Sequence, residues 1–421
     1  MSVNIKRLTL VFILLLALMG MIRITTIRVK AEQVRKVNLS DEEKIRQVIY
    51  AYFDKRYYSR MTSQVQDFHE LIDSSSQASS FLQHEIEKQE IEIYNAKQHH
   101  LAYTRYEYTL DFNSISIDKN SRIAVTSLRE GHDVIFEISK IISASAPVIS
   151  KMRNLDHTIV LRETKDGWKI ILDSYEDHLW RFLKASTLSK EELLISINRA
   201  QNQTPLSVAN TEEATSLCNL PADQSTHTYY RSGVVAYAHR YAYEPNPAYH
   251  YFTENDCTNF ISQAIHHGSD ADEEGSNTYG WYYNYYNGYQ NSDYSASWTD
   301  VQFLYEFITQ YAVWSKGPEG CVINNSYAAL AGDLVQFEWN DDGNTNWDHA
   351  MIIVRKETPP DDPYYPYFYV AGHSTDVDNY PLESIIYQSR RFIRIDRIDG
   401  YATVFAPLIL RGSIRVASTA K

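Results

Sequence analysis

Three cysteines in 421 residues are too few for a disulfide scaffold, and a chain of this length needs no staples to hold a core. No glycine-rich phosphate loop and no zinc-ligand spacing occurs, so the expectation is a protein with no cofactor and no metal. Positive charge is scarce in the second half, where 12 basic residues face 26 acidic ones from Glu213 to the end. A chain without a basic stripe is not built for nucleic acid, because phosphate binding draws its affinity from Lys and Arg. With only 15 glycines and 12 prolines, the composition also excludes collagen-like and wholly disordered chains.

What is present is an ordinary globular composition, 44% apolar and 22% charged, long enough for roughly two to three domains. Tyrosine stands out, with 33 copies concentrated in the second half. Such amphipathic rings either pack a core or wall a binding groove. The net charge of −13 belongs almost entirely to the residues after Glu213, which places a composition boundary near residue 210.

Residues 1–31 read as a signal peptide or an N-terminal anchor. Lys6 and Arg7 precede an apolar run from Leu8 to Ile22, and Val29-Lys30-Ala31 offers small residues where a signal peptidase reads. The run is shorter than the ~20 residues of a comfortable membrane span, which favours cleavage. Retention would instead anchor the chain through residues 8–22. In both cases the expectation is an extracytoplasmic protein, secreted or held at the cell surface. The odd cysteine count leaves at least one thiol unpaired within the chain; a bond between Cys218 and Cys321 is compatible with the sequence but not shown by it.

Residues 40–200 have the pattern of an α+β accessory domain. Ser40 and Glu43 form a capping-box pair, and Ile45, Val48, Ile49, Tyr52, Phe53 and Tyr57 follow at helical spacing. A second helix is expected over Phe81 to Ala96. Strand-like segments then fall at Leu101 to Asp111, Ile123 to Arg129, Val134 to Ser139 and Thr158 to Glu163, the last pairing with Trp168 to Asp173 across Lys165-Asp166-Gly167. Helices first and an antiparallel sheet after, closing on Asp166-Gly167-Trp168-Lys169-Ile170, resemble the cone-shaped nuclear-transport-factor-like (NTF2-like) fold. His99, His100, His132, His157 and His178 match no metal-ligand spacing and read as scattered surface histidines. Ser189 and Glu192 repeat the capping-box spacing at the head of another helix. Residues 201–228, rich in Asn, Gln, Ser, Thr, Pro and Asp, read as a linker.

The chemistry appears in residues 229–415. A helix is expected from Arg231 to Tyr243, followed by Asn255-Asp256-Cys257-Thr258-Asn259-Phe260-Ile261-Ser262-Gln263-Ala264, where a polar stretch gives way to an apolar-periodic one. Cys257 thus opens a helix, where unpaired N–H groups and the macrodipole favour a thiolate. Its alternative is a buried core thiol. Downstream, Gly332-Asp333-Leu334-Val335-Gln336-Phe337 and Asp348-His349-Ala350-Met351-Ile352-Ile353-Val354 read as neighbouring strands joined by a polar turn over Asn340 to Asn346. That turn is only superficially like a calcium loop, since no bidentate Glu follows. His349, at a strand mouth, is placed to face Cys257 across a cleft as general base. His373 ends the next strand, Tyr367 to Gly372, and is either the residue that orients His349 or a loop histidine.

These motifs occur in the order seen in papain-like cell-wall peptidases of the NlpC and CHAP type. From about Tyr230 to about Leu410, with Tyr237-Ala238, Asn255 to Gln263, Ser297-Trp298 and the His349 strand, the chain resembles more closely the family named "Putative amidase domain" of exported proteins from Gram-positive bacteria. The resemblance implies a papain-like cysteine hydrolase with Cys257 as nucleophile, His349 as base and His373 as orienting residue. Where NlpC-type enzymes carry a small Ser-Gly pair after the cysteine, this chain has Thr258-Asn259, and Asn259 either projects toward the cleft or caps the turn. Trp281 and Tyr283, in an aromatic, Asn-rich insertion, are candidate substrate-binding rings for the sugars and peptide stems of peptidoglycan, or a loop packed over the core. The expected activity is cleavage of an amide bond in peptidoglycan or another peptide or amide substrate. The rival readings are a non-catalytic cell-wall binding module and a Cys–His acyl or amide transferase.

Overall fold

The structure, a computed structural model, describes residues 39–75, 78–138, 147–202, 218, 227–271, 273, 280–284, 293–312, 315–340, 347–360, 362 and 365–398. It is mixed helix and sheet, the α+β class expected. Helix α1 (Asp41–Thr62) opens on the anticipated capping box, in which the Glu43 N–H donates to Ser40 Oγ and the Ser40 N–H donates back to Glu43 Oε2. The segment proposed as a signal peptide lies outside the described residues, as does most of the 201–228 linker.

After α1 come α2 (Ser79–Gln98) and four strands, β1 (Leu101–Asp118), β2 (Ile123–Ile138), β3 (Ile149–Thr164) and β4 (Gly167–Ser174), then α3 (His178–Ala185) and α4 (Lys190–Asn202). The two segments expected at Ile123 and Val134 are one continuous strand, β2, running through Gly131 along β3 with a register shift between Glu130 and His132. Gly167, at φ +108°, makes the tight turn that joins β3 to β4. Under α1 the sheet buries Tyr52, Phe53, Tyr57, Ile159, Leu161 and Ile170.

Three histidines read as surface residues are interior ones. His132, His157 and His178 are buried. His157 lies between two buried carboxylates, with Nε2 3.0 Å from Glu130 Oε2 and Nδ1 2.9 Å from Asp173 Oδ1. Burial opposes a charge on this ring, but the two carboxylates outweigh it and raise its pKa to about 9. Tyr57 donates its hydroxyl to Glu130, and Tyr52 donates to Glu85 and Asp173.

The later elements are β5 (His227–Thr228), α5 (Arg231–Tyr241), α6 (Cys257–Ser269), β6 (Tyr283–Asn284), β7 (Asp293–Tyr294), α7 (Ala296–Thr299), α8 (Val301–Glu306) with a π-helical turn over Phe307–Tyr311, and β8 (Pro318–Ile323). Strands β9 (Leu334–Glu338), β10 (His349–Glu357), β11 (Tyr367–Gly372), β12 (Asp376–Pro381) and β13 (Ser389–Ile398) complete the set. A disulfide joins Cys218 to Cys321 on β8 and leaves Cys257 as the free thiol.

One sheet runs through both halves of the chain in the order β1-β2-β3-β12-β11-β10-β9-β13-β5. The seam is the antiparallel pairing of β3 with β12, in which Lys151, Met152 and Arg153 face Asp378, Val377 and Asp376. Strands β9 to β12 are covered on both faces. On one, α5 and α6 bury Phe260, Ile261 and Ala264 against Ala350, Ile352 and Ala371. On the other, Leu179, Phe182, Leu193 and Ile197 of α3 and α4 pack with Val335, Phe337, Met351 and Ile353. Helices read from sequence as belonging to an accessory domain thus form one side of the core around the later strands.

Candidate active site

Helix α6 is seated by a glycine pair. A Cβ on Gly233 of α5 would lie 2.0 Å from the Gly268 carbonyl oxygen, and one on Gly268 would lie 2.4 Å from the Val234 backbone, so only glycines allow the two helices this approach. The apolar side of α6 then settles on β10 and β11, and its first residue, Cys257, is brought to the mouth of β10. The thiol is 4% exposed, with Thr258 Oγ1 at 3.7 Å. Burial pushes its pKa up, against the Ala350 N–H and the Thr258 hydroxyl, which favour the thiolate.

The segment before Cys257 is tied down by Asp256. Its Oδ1 accepts the Phe252 N–H at 2.9 Å and the Asn259 side-chain amide at 2.8 Å, and its own N–H donates to Ser374 Oγ at 3.0 Å. Its Oδ2 lies 2.6 Å from His373 Nδ1, and both side chains are 1% exposed. His373 Nε2 is 2.8 Å from the Tyr241 carbonyl, so both ring nitrogens are engaged. Burial works against charge on His373, but Asp256 and Asp376 outweigh it and hold its pKa above the ordinary range.

The structure therefore joins Cys257 and His373 through Asp256, a residue to which the sequence reading gave no role. The only sequence signal for it was its place immediately before the cysteine.

His349 is not at the thiol. Residues alternate along β10, and Ala350, Ile352 and Val354 face α6 while Met351 and Ile353 face the opposite core. His349 shares the latter side, its ring 5.8 Å from Trp339, 6.2 Å from Phe337 and 5.4 Å from His178 of α3. Nε2 is buried with no hydrogen-bond partner among the described residues. Burial, with help from His178 and Arg181, holds its pKa well below the usual histidine value, so the ring is neutral. The expected face-to-face Cys–His pair is thus corrected: His349 is the chain neighbour of Ala350, whose N–H lies by the thiol, but its ring is on the other face of the sheet.

The three candidate substrate-binding residues are also interior. Asn259 is fully buried; its amide donates to the His250 carbonyl and to Asp256, and its Oδ1 accepts Trp298 Nε1–H at 3.0 Å. It braces the turn. Trp281 is fully buried, 4.6 Å from the Trp298 ring, and donates Nε1–H to Ser262 Oγ. Tyr283 accepts the His250 N–H at its hydroxyl and packs between Tyr249 and Tyr294. These aromatic residues form the wall behind α6, while Tyr251, Phe252 and Tyr294 keep accessible ring surface near the Asp256 loop. The polar turn over residues 341–346 lies outside the described residues. No group of three or more His, Cys, Asp or Glu side chains fit to hold a metal occurs among the described residues.

Comparison with known proteins bears on the same half of the chain. Residues 228–395 match the family described as "Putative amidase domain". A stretch of 130 residues, 31% of this chain, is 30% identical to the uncharacterized protein YhbB of Bacillus subtilis (strain 168). The match spans 38% of that relative's length. Among solved structures, the intermembrane space region of the chloroplast protein ARC6 aligns over 32% of this chain and 96% of its own, at 12% identity and a TM-score of 0.24, too low to support an argument about fold or function.

Proposed function

We propose that the amidase-like region is an extracytoplasmic cysteine amidohydrolase in which Cys257 attacks an amide carbonyl. The observation that carries the reading is the placement of the one free cysteine at the first turn of α6, inside the matched region, with its preceding loop fixed by four hydrogen bonds to Asp256. A helix-borne cysteine set against an antiparallel sheet is also the arrangement that favours the papain-like reading.

In this mechanism a base takes the thiol proton as the sulfur bonds to the carbonyl carbon, and backbone N–H groups at the start of α6 receive the oxyanion. The C–N bond breaks, the amine leaves with that proton, and a water deprotonated by the same base then cleaves the thioester to release the acid and restore the thiol. Neither histidine stands at the thiol in this structure: the His349 ring lies on the other face of the sheet, and both nitrogens of His373 are engaged.

Extracytoplasmic location is supported by the apolar leader sequence and by the Cys218–Cys321 disulfide, a bond that persists in oxidising compartments. No helix among the described residues is long and apolar enough to cross a membrane. We take peptidoglycan as the substrate, with Tyr251, Phe252 and Tyr294 as the ring surface nearest the site. Mass spectrometry of the muropeptides released from purified cell walls by the wild type and by Cys257→Ala tests the reading. Amide cleavage products from the wild type alone support it. Identical spectra from both proteins would leave a wall-binding module as the better description, and products joined to an added amine would make the protein a transferase.

A further inference from the structure

Asp256 poses an electrostatic problem. A carboxylate directly before a nucleophilic cysteine opposes formation of a thiolate, and here it is buried, where water screens little. Yet its position is demanded by the loop: Oδ1 gathers the Phe252 N–H and the Asn259 amide, bonds that shape the entry into α6. Both bonds fall on one oxygen, which leaves Oδ2 to face His373.

We propose that His373 is a positioning residue that serves Cys257 through Asp256, supplying the counter-charge that lets this carboxylate stand beside the nucleophile, and that it does not orient His349. The geometry separates the two roles. His373 follows β11 on the α6 side of the sheet, with Phe260 against its ring at 4.2 Å, whereas the His349 ring lies on the α3 side. His373 is spent on Asp256 at 2.6 Å and on the Tyr241 carbonyl at 2.8 Å. The link is doubled by the Asp256 N–H donating to Ser374 Oγ, and Ser374 is itself held at φ +77° with its carbonyl accepting from Arg181. Two adjacent residues after β11 thus clasp the one residue before Cys257.

The other groups facing this pair are few. Asp376 adds to the field that keeps His373 charged; its own carboxylate accepts from Asn154 at 2.8 Å and from the Tyr251 hydroxyl at 3.4 Å. On the thiol side the neighbours are Asp256, the Thr258 hydroxyl and the Ala350 N–H. Removal of His373 would leave Asp256 uncompensated next to Cys257 and shift the reactivity of the thiol to higher pH. Removal of both charges would restore it.

This inference deepens the reading of Cys257 as a nucleophile, and its test needs no substrate. The full chain with its disulfide intact is treated with iodoacetamide across pH 5 to 10, and carbamidomethylation of the Cys257 peptide is timed by mass spectrometry. In His373→Ala the profile is expected to move up by about one pH unit, an alkylation rate about tenfold lower near neutral pH. Asp256→Asn/His373→Ala is expected to return within about threefold of wild type. An unmoved profile in His373→Ala, or a double variant no faster than the single one, overturns the proposal. Should His373→Ala not fold, Asp256→Asn decides, since its profile must lie at or below the wild-type one and an upward shift refutes the charge argument. Loss of the hydrolase reading would appear as absent turnover with the profile shifts intact, and so is distinguishable from failure of this proposal.

Discussion

His157→Gln tests a buried charge cluster. The wild-type ring lies 3.0 Å from Glu130 and 2.9 Å from Asp173, and its pKa is raised from 6.5 to about 9. Because the folded value lies above the unfolded one, the stabilisation is fully present below pH 6.5 and is lost as pH rises through 9. A shift of this size corresponds to about 3 kcal/mol. Gln can donate from its amide but carries no charge, so the two buried carboxylates lose the cation between them and keep only Arg56, 3.8 Å from Asp173, as a nearby positive group. Breaking a buried pair in this way costs about 3–5 kcal/mol. The assay is guanidinium unfolding of wild type and variant at pH 6 and pH 9. The wild type is expected to lose more stability than the variant between those values, by about 3 kcal/mol, and the variant to be weaker at pH 6. An equal pH dependence in the two proteins would show that His157 is not charged in the native state and would refute the argument.

Three further outcomes are expected. His349→Ala, a truncation in the core between α3 and β9, should cost about 2–5 kcal/mol of stability; an unchanged unfolding midpoint with turnover on cell walls about a hundredfold lower would return His349 to the mechanism. Trp281→Ala, a truncation inside the wall behind α6, should cost about 3–5 kcal/mol of stability, and a variant of wild-type stability with only a raised KM would return Trp281 to a substrate cleft. Thiol titration of the unreduced, denatured protein should count one group, Cys257, and reduction of the bond spanning 103 residues should then lower stability by up to about 5 kcal/mol.

Much of this architecture was legible in local patterns. The two capping boxes form as spaced, with the Ser189 N–H donating to Glu192 as Ser40 does to Glu43, and Cys257 does begin its helix. What the sequence could not convey is the phase of a strand covered on both faces. In His349-Ala350-Met351-Ile352-Ile353-Val354 every residue is buried, so no polar alternation marks which side faces α6. A reader of the sequence sees a histidine at a strand mouth and cannot see which core it enters. The surface assignment of His132, His157 and His178 failed for a related reason. Their partners, Tyr57, Glu130, Asp173 and His349, come from other elements, and no local spacing announces such a meeting. The seam between β3 and β12 was hidden in the same way, since strand partners more than two hundred residues apart leave no mark on either segment.

That seam also sets an order of events during synthesis. Strand β3 is made with β2 available on one side, but the stretch Lys151 to Arg153 must wait for Asp376 to Asp378 on the other. At roughly 5–20 residues per second the interval is about ten to forty-five seconds. Throughout it, an unpaired edge offers its hydrogen-bonding groups to any passing strand. Lys151 and Arg153 lie on that edge, charges of the kind that discourage such pairing until the proper partner arrives. If the chain crosses a membrane in extended form, both strands reach the far side still unpaired, and the sheet can close only once almost the whole polypeptide has emerged.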